Sequence, residues 1–546
     1  MTLKQTILTL VLLLSTPKQI EAQDVPYHLD NEAVYDFVDE LANIGAIDVN
    51  SVVKPYSRMQ IANFLKEAEQ FKALTQRQKR EIVFYLKDFN KELLTGKDFQ
   101  KRFDLFYYSD SIFKFSVNPI LGVQGFSNGN SFDYHRWGGG EFFAYIGKHF
   151  AFYGSLRDNH ESSPLGGRQY LTKHRGAIYK GDTEETDYSE ARGGMTFTWR
   201  WLDIGLVKDH YTYGNGYSEP NILSAHTPSF AHISLKLTPA KWFEFNYSHG
   251  WLVSEVIDSS RSYQYYDGTR EVYANKFIAS NMFTFVPWKR LRLSIGNSIV
   301  YGDVNVNPAF FIPFMFYKSV DHTYNSGSND VGHNAQMYFD VSSRQIRFLH
   351  LYATIFIDEI STIRMFDKEA QSNYVSCKAG ARLSGLIPNT SITIEYTQAK
   401  PMVYQHIIPS TTYESNGYTL GHYLKDNSDE LFLSVRYKPI RGLDLQLNYT
   451  SARRGKNYQK IIIDDDLADN PEINPDEPRW GLPFMNEVRY SKQQWQFKAK
   501  YQIINDGYIF FEYENNSVKG ADKDIYTPPF YLEGDNILSF GINYGF

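Results

Sequence analysis

The chain has 546 residues and a formal net charge of −6, a mild acidic balance that argues against a general nucleic-acid binder. Its one cysteine, Cys377, rules out an internal disulfide framework and leaves no thiol at the amino terminus for a lipoprotein anchor. Aromatic residues make up 16% of the chain, with 41 Tyr and 39 Phe, yet the mean hydropathy is −0.43. Both facts fit apolar residues that alternate with polar ones along transmembrane strands.

The first 22 residues read as a signal peptide: Lys4 supplies the positive region, Ile7 to Leu14 the apolar run, and Ile20-Glu21-Ala22 the cleavage site. That run is too short to cross a bilayer, and nothing downstream reaches the ~18 consecutive apolar residues of a membrane helix. An exported chain of this kind has only a closed barrel as a membrane-spanning form.

Residues 23–105 carry helical rather than strand periodicity and are expected to form a small periplasmic helical bundle. Asp30 is placed to cap a helix with apolar positions Val34, Phe37, Val38 and Leu41, and Gly45 to close it. Ser57 with Gln60, and Thr75 with Gln78, form capping boxes before Ile61, Phe64 and Leu65 and before Ile82, Leu86 and Phe89. The stretch from Leu41 to Arg58 is also similar to an S-layer-homology module, which would imply cell-wall binding. The plainer alternative is a plug or spacer.

From residue 106 to 546 the period is two. Met195, Phe197 and Trp199 alternate with polar residues, as do Leu291, Leu293 and Ile295, and Leu443, Leu445, Leu447 and Tyr449. The chain closes on the same pattern, Leu538, Phe540, Ile542 and Tyr544 before Phe546. Short connections near Lys148, Leu202, Pro239, Pro287, Ser343, Pro388, Ile440 and Asn505 alternate with long ones such as Gly214–Pro228, Gly302–Val331 and Lys400–Asp429. Short turns on one side and long loops on the other predict a mainly β fold, an antiparallel outer-membrane barrel of about eighteen strands with the helical bundle before it. The last strand is expected to pair with the first, near Ser111 to Phe126.

The lumen face is expected to carry Arg200, Lys236, Arg292, Lys378, Arg382, Arg436, Lys438, Lys498 and Lys500 against fewer acids. These either pair across the lumen or focus a field that attracts an anionic solute or acidic polymer. The long connections supply Tyr211, Tyr213, Tyr217, His249, Trp251, Tyr263, Tyr265 and Tyr266. Flat aromatic faces suit the C–H faces of sugars, although an aromatic girdle at the membrane edge predicts the same enrichment. With Arg292 and Arg436 these residues form the expected polysaccharide-binding set.

Catalytic signatures are absent: no G-x-S-x-G elbow, no H-E-x-x-H and no P-loop occur, and no cofactor or metal is expected. His226 and His232 read as loop or rim residues, and the run Asp464-Asp465-Asp466 lacks the glycine and spacing of a calcium loop. A barrel-borne hydrolase or a channel for saccharides or anions stands as the alternative to a binding protein.

The helical stretches VYDFVDELANIGAI and KPYSRMQIANFL, followed by NPAFFIPFMFY, LYATIFIDEI and GHYLKDNSDELFL within an aromatic-rich barrel, resemble the Wzi capsule-assembly family of outer-membrane proteins. The resemblance implies an eighteen-stranded barrel whose periplasmic end is covered by the helices, acting as a lectin that holds capsular polysaccharide at the surface. It also implies that the final strand, ending in Phe546, carries the signal read by the barrel-assembly machinery. Expected partners are therefore surface polysaccharide, outer-membrane lipid and that machinery, with no nucleic acid.

Overall fold

The computed structural model describes residues 24–96, 98–180, 186–266, 268–302, 305–324, 332–360, 366–367, 373–458 and 481–546. The proposed signal peptide and the acidic run from Asp464 to Glu477 lie outside them.

The period-two segments close into an antiparallel barrel of 18 strands. They are β1 (Phe113–Ser127), β2 (Phe132–Ile146), β3 (Phe150–Glu161), β4 (Asp187–Trp199), β5 (Leu202–Asp209), β6 (Phe230–Ala240), β7 (Phe243–Ile257), β8 (Tyr273–Trp288) and β9 (Leu291–Tyr301). The second half comprises β10 (Asn334–Ser343), β11 (Leu349–Glu359), β12 (Tyr374–Ser384), β13 (Thr390–Ala399), β14 (Ser428–Tyr437), β15 (Leu443–Gly455), β16 (Val488–Ile504), β17 (Gly507–Lys519) and β18 (Asn536–Tyr544). Each strand pairs with its sequence neighbours, and β18 closes the ring on β1 from Leu538↔Ser127 to Tyr544↔Leu121. The lower half of β1 is paired instead by a short strand, Phe106–Ser109, so that stretch of the seam is also satisfied.

Alternation fixes the two faces. On β18, Leu538, Phe540 and Ile542 point outward and are 49%, 60% and 49% exposed, while Ile537 and Ser539 are buried. The outward apolar stripe continues through Leu121, Val123, Ile204, Leu293, Val341, Ile355, Ile394 and Val435, all exposed. This is the face a bilayer would cover. Gly139 on β2 allows a close strand approach: a Cβ there would lie 1.8 Å from the Leu156 carbonyl oxygen.

Among the described residues three helices precede the barrel: α1 (Glu32–Asn43), α2 (Arg58–Glu69) and α3 (Gln76–Leu93). Both expected capping boxes form, at Ser57 with Gln60 and at Thr75 with Gln78. The expected Asp30 cap does not: Asn31 is the N-cap, without a side-chain hydrogen bond. The Asp30 carboxylate turns away to an ion pair with Arg175 at 2.7 Å, a stronger partner than a lone backbone N–H. Gly45 closes α1 with φ of +85°, its N–H donating to Ala42 O at 3.0 Å. The helices enclose a core of Phe37, Val38, Leu41, Ile61, Leu65 and Phe89.

This bundle sits at the short-turn end of the barrel. Phe348 N–H donates to Asn43 O at 2.9 Å, Arg290 Nη2 to Gly45 O at 2.6 Å and Asn505 Nδ2 to Phe84 O at 3.1 Å. All three partners lie in short turns. The carboxyl terminus joins the same packing: Phe546 is buried, its ring centroid 4.2 Å from that of His28 and 4.6 Å from the Arg192 guanidinium. The terminal aromatic residue therefore turns into the barrel instead of continuing the outward stripe.

Candidate functional site

The lumen is filled from both ends. α1 presents its acidic face to the basic wall: Asp36 takes Arg382 at 2.5 Å and also pairs with Arg436 and Lys438. Asp39 pairs with Arg344 at 2.6 Å, and Asp48 with Arg292 at 2.6 Å. Burial alone would raise the Asp39 carboxyl, but Arg344 and Arg382 outweigh it and hold it at about 2. Asp36 is likewise held well below the carboxylate range, since its three cations overcome the desolvation that opposes them. Of the two readings of the basic lumen face, these contacts match mutual neutralisation, with the acids coming from the helices as well as from other strands. Arg200 is not on that face. It occupies the β4–β5 turn with φ of +53° and is exposed.

From the opposite end, the connection 210–229 descends through the lumen to the helical bundle. Thr212–Tyr213 pairs with Val53–Lys54 as a two-stranded ribbon inside the barrel, and Gly214 N–H donates to Val52 O at 2.8 Å. Asn215 bridges the two bodies, its Oδ1 accepting from Ser51 Oγ at 2.6 Å and its Nδ2 donating to Asp340 at 2.6 Å. Tyr217 OH donates to Asp39 at 2.6 Å and lies 2.7 Å from His350 Nδ1. The segment 162–180 enters beside it through Arg175, and 400–427 through Ser224 N–H donating to Leu420 O at 2.7 Å.

This geometry separates the expected binding residues into four places. Tyr211 and Tyr213 are buried in the lumen, and Tyr217 is tied to the bundle. Arg292 and Arg436 are engaged by Asp48 and Asp36. His249 and Trp251 belong to strand β7 rather than to a loop, and they face outward. There His249 is fully buried against Phe311 at 4.3 Å. Tyr263, Tyr265 and Tyr266 alone stand free, on the small ribbon Tyr263–Tyr265 with Gly268–Arg270 at the long-loop end. They are 52%, 52% and 106% exposed, with the Arg270 guanidinium 6.0 Å from the Tyr263 ring.

Sequence reasoning missed a polar cluster behind the descending connection. Lys378, Thr397 and Glu430 lie side by side on β12, β13 and β14. Glu219, Asn221 and His422 are the loop residues of the cluster; His422 Nε2 comes within 3.8 Å of Glu430 Oε1. Lys378 Nζ, Thr397 Oγ1, Glu219 Oε2, Asn221 Oδ1 and both His422 ring nitrogens are buried without a hydrogen-bond partner. Burial pushes Glu219 up to about 8 and His422 down to about 3, so both are neutral at pH 7. Such groups suit ordered water or a hydroxyl-rich guest. Only their long-range convergence reveals them, and no spacing in the sequence announces it. His226 is a buried loop residue, as expected in part, whereas His232 lies within β6. His28, Asp209 and His210 come within 4.8 Å of one another by their ligand-type atoms. However, Arg192 and Tyr153 each donate to one Asp209 oxygen at 2.8 Å, which leaves that carboxylate already occupied.

The family model for the capsule assembly protein Wzi matches residues 138–518. The chain belongs to the Wzi capsule-assembly family. Its fold is similar to that of Wzi from Escherichia coli, described as an outer-membrane protein involved in group 1 capsule assembly and a carbohydrate-binding β-barrel. That match has a TM-score of 0.57 at 12% identity and covers 96% of this chain and 100% of the other. Weaker likenesses include OccAB4 of Acinetobacter baumannii (TM-score 0.42, 9% identity, 79% of this chain and 97% of that one). OprD of Pseudomonas aeruginosa is similar at a TM-score of 0.39 and 11% identity, over 79% of this chain and 94% of that one. No curated protein matches the chain.

Proposed function

We propose that this member of the Wzi family sits in the outer membrane of a Gram-negative cell and binds surface polysaccharide, helping to attach or assemble the capsule, without catalysis. The observation that carries the reading is the occupied lumen. The helical bundle enters from one end, and the segments 162–180, 210–229 and 400–427 enter from the other. The bundle is tied to the wall by buried ion pairs, and the connection 210–229 by hydrogen bonds to Asp340 and Glu395, so the protein offers a surface rather than a path. In this orientation the short turns and the helices face the periplasm and the long connections face outward.

The exposed tyrosines of the ribbon at 263–270 are the best-placed sugar platform on that outer side. Tyr263, Tyr265 and Tyr266 offer ring faces, and Arg261 and Arg270 offer fixed donors beside them. The buried residues Tyr211, Tyr213, Arg292 and Arg436 support such a site by holding the lumen closed. The test is binding of capsular polysaccharide from the parent strain to protein in detergent, followed by biolayer interferometry. Replacing all three tyrosines by Ala should weaken binding about tenfold or more, since each stacked ring contributes roughly 0.5–1.5 kcal/mol. Undiminished binding would remove the platform, and absence of binding in the parent protein together with an unchanged capsule in a deletion strain would remove the function. Planar-bilayer recordings separate the channel alternative: the tied lumen should give negligible conductance.

A further inference from the structure

The segments 162–180, 210–229 and 400–427 all turn into the lumen, whereas the segment 305–324 between β9 and β10 lies on the outside of the barrel. The register decides which side it occupies. Ser248 on β7 and Ser280 on β8 face the lumen, where Ser248 Oγ donates to Tyr211 OH at 2.7 Å and lies 2.7 Å from Ser280 Oγ. Alternation then sends Phe245, Tyr247 and His249, and likewise Phe277, Ala279, Asn281 and Phe283, to the outer face. Asn297, Ile299 and Tyr301 of β9 join them, because Asn281 is paired with Asn297.

This part of the outer wall is unusual in being polar. Asn281 and His249 are 0% exposed and Asn297 is 7% exposed because the segment 305–324 covers them. Asn281 Nδ2 donates to Pro313 O and to Met315 O, each at 2.9 Å, and Tyr317 N–H donates to Asn297 Oδ1 at 2.9 Å. Phe314 stacks on Phe245 at 4.4 Å and Phe311 on His249 at 4.3 Å. Tyr247 OH donates to Phe310 O at 2.9 Å. The wall's side-chain amides thus satisfy backbone carbonyls of a segment that is not in the sheet, which is what irregular backbone at membrane depth requires.

The other side of the segment is apolar. Phe311, Ile312, Phe314 and Phe316 are 38%, 49%, 54% and 47% exposed. They continue the outward stripe of Phe285, Leu293 and Ile295 on the adjoining strands. Beyond them comes helix α4 (Tyr317–Tyr324), where Lys318 and His322 are exposed. The order is an aromatic and aliphatic patch followed by a polar turn with a cation, the sequence of environments met on passing from acyl chains to headgroups.

We propose that residues 305–324 form a flap seated in the leaflet at the long-loop end, with Phe311, Ile312, Phe314 and Phe316 in contact with lipid acyl chains. The inference rests on the reading of the barrel as membrane-spanning. It assigns the flap a lipid partner rather than a polysaccharide one. Its role is to seal a polar window in the wall, since Asn281, Asn297 and His249 would otherwise face hydrocarbon.

The test uses the full chain in liposomes, with Cys377→Ser as background and one nitroxide-labelled cysteine at a time. Phe314→Cys is the probe, Leu293→Cys the wall control and Tyr266→Cys the solvent control. Electron paramagnetic resonance then compares accessibility to oxygen, which partitions into lipid, with accessibility to a water-soluble nickel chelate. The Phe314 label should match Leu293, with oxygen favoured several-fold over nickel, and should differ from Tyr266. Because Phe314 also seats the flap, Phe316→Cys is measured in parallel and should give the same ranking. Nickel-accessible labels at both flap positions beside a lipid-like label at Leu293 would overturn the flap alone. A nickel-accessible Leu293 label would overturn the membrane reading beneath it.

Discussion

Replacing Asp36 by Asn tests whether charge, rather than shape, holds the helical bundle in the lumen. The substitution preserves volume but leaves Arg382, Arg436 and Lys438 facing a neutral amide, and their side chains are only 6%, 17% and 8% exposed. Removing one partner of a buried pair typically costs about 3–5 kcal/mol. Secondary partners soften the loss here, because Arg436 lies 3.5 Å from Asp444, Lys438 lies 3.9 Å from Glu40 and Arg382 lies 3.9 Å from Asp39. The lower end, about 3 kcal/mol, is therefore expected, equivalent to roughly a hundredfold rise in the undocked population. Hydrogen exchange of α1 in the intact protein reads that population directly: amides of Val38 to Ala42 should exchange about a hundredfold faster while those of β15 and β16 keep their protection. Unchanged protection of α1 would refute the role of the Asp36 charge and leave the Asp39 and Asp48 pairs, the apolar core and the loop contacts as the restraint. Equal acceleration in α1 and in the barrel would refute the view that the bundle docks as a separable body.

The same carboxylates predict an acid limit. Asp30 and Asp39 are each held at about 2, so their stabilisation is complete above the ordinary value near 4 and is lost as pH falls from there toward 2. Protease resistance of residues 24–105 should accordingly be flat from pH 5 upward and fall below pH 4. Glu219 has the opposite sign: raised to about 8, it stabilises the fold only while protonated, and that contribution declines between its ordinary value near 4.5 and pH 8. Glu219→Gln should raise the melting temperature at pH 8 and leave it nearly unchanged at pH 4, as measured by heat-modified gel mobility. Gly139→Ala places a methyl 1.8 Å from the Leu156 carbonyl oxygen, and assembled barrel should be sharply reduced on the same gel. Phe546→Ala removes the ring between His28 and Arg192 and should loosen residues 24–31 by about 3 kcal/mol, read as faster exchange of that segment.

Much of the architecture was legible in the chain because strands and capped helices report themselves locally. Period-two alternation gave the strands, and Leu538, Phe540 and Ile542 lie on the outer face it implied. Ser57 with Gln60 and Thr75 with Gln78 marked helix starts within four residues. Asp30 failed as a cap because its partner, Arg175, comes from 145 residues away and outbids a neighbouring N–H. The expected binding residues fared differently from the strands. Tyrosine at a loop position is the same signal whether the loop rises into solvent, as at Tyr266, or dives into the lumen, as at Tyr213.

By itself, then, the sequence determined the alternation of about eighteen strands, the closing strand, the rhythm of short and long connections and the capping boxes of the helices. Each depends on spacing within a few residues, where backbone geometry leaves few options. The tertiary structure alone decided where the connections go. It sent 210–229 inward to Ser51 and Asp39, and laid 305–324 outside on Asn281 and Asn297. Alternation states that a strand has two faces, but not what covers either of them. Asn281, His249 and Asn297 are polar residues on an outward stripe, and a segment folded back from the rim makes that placement tolerable, its carbonyls accepting from Asn281 and Asn297 and its Phe311 ring covering His249.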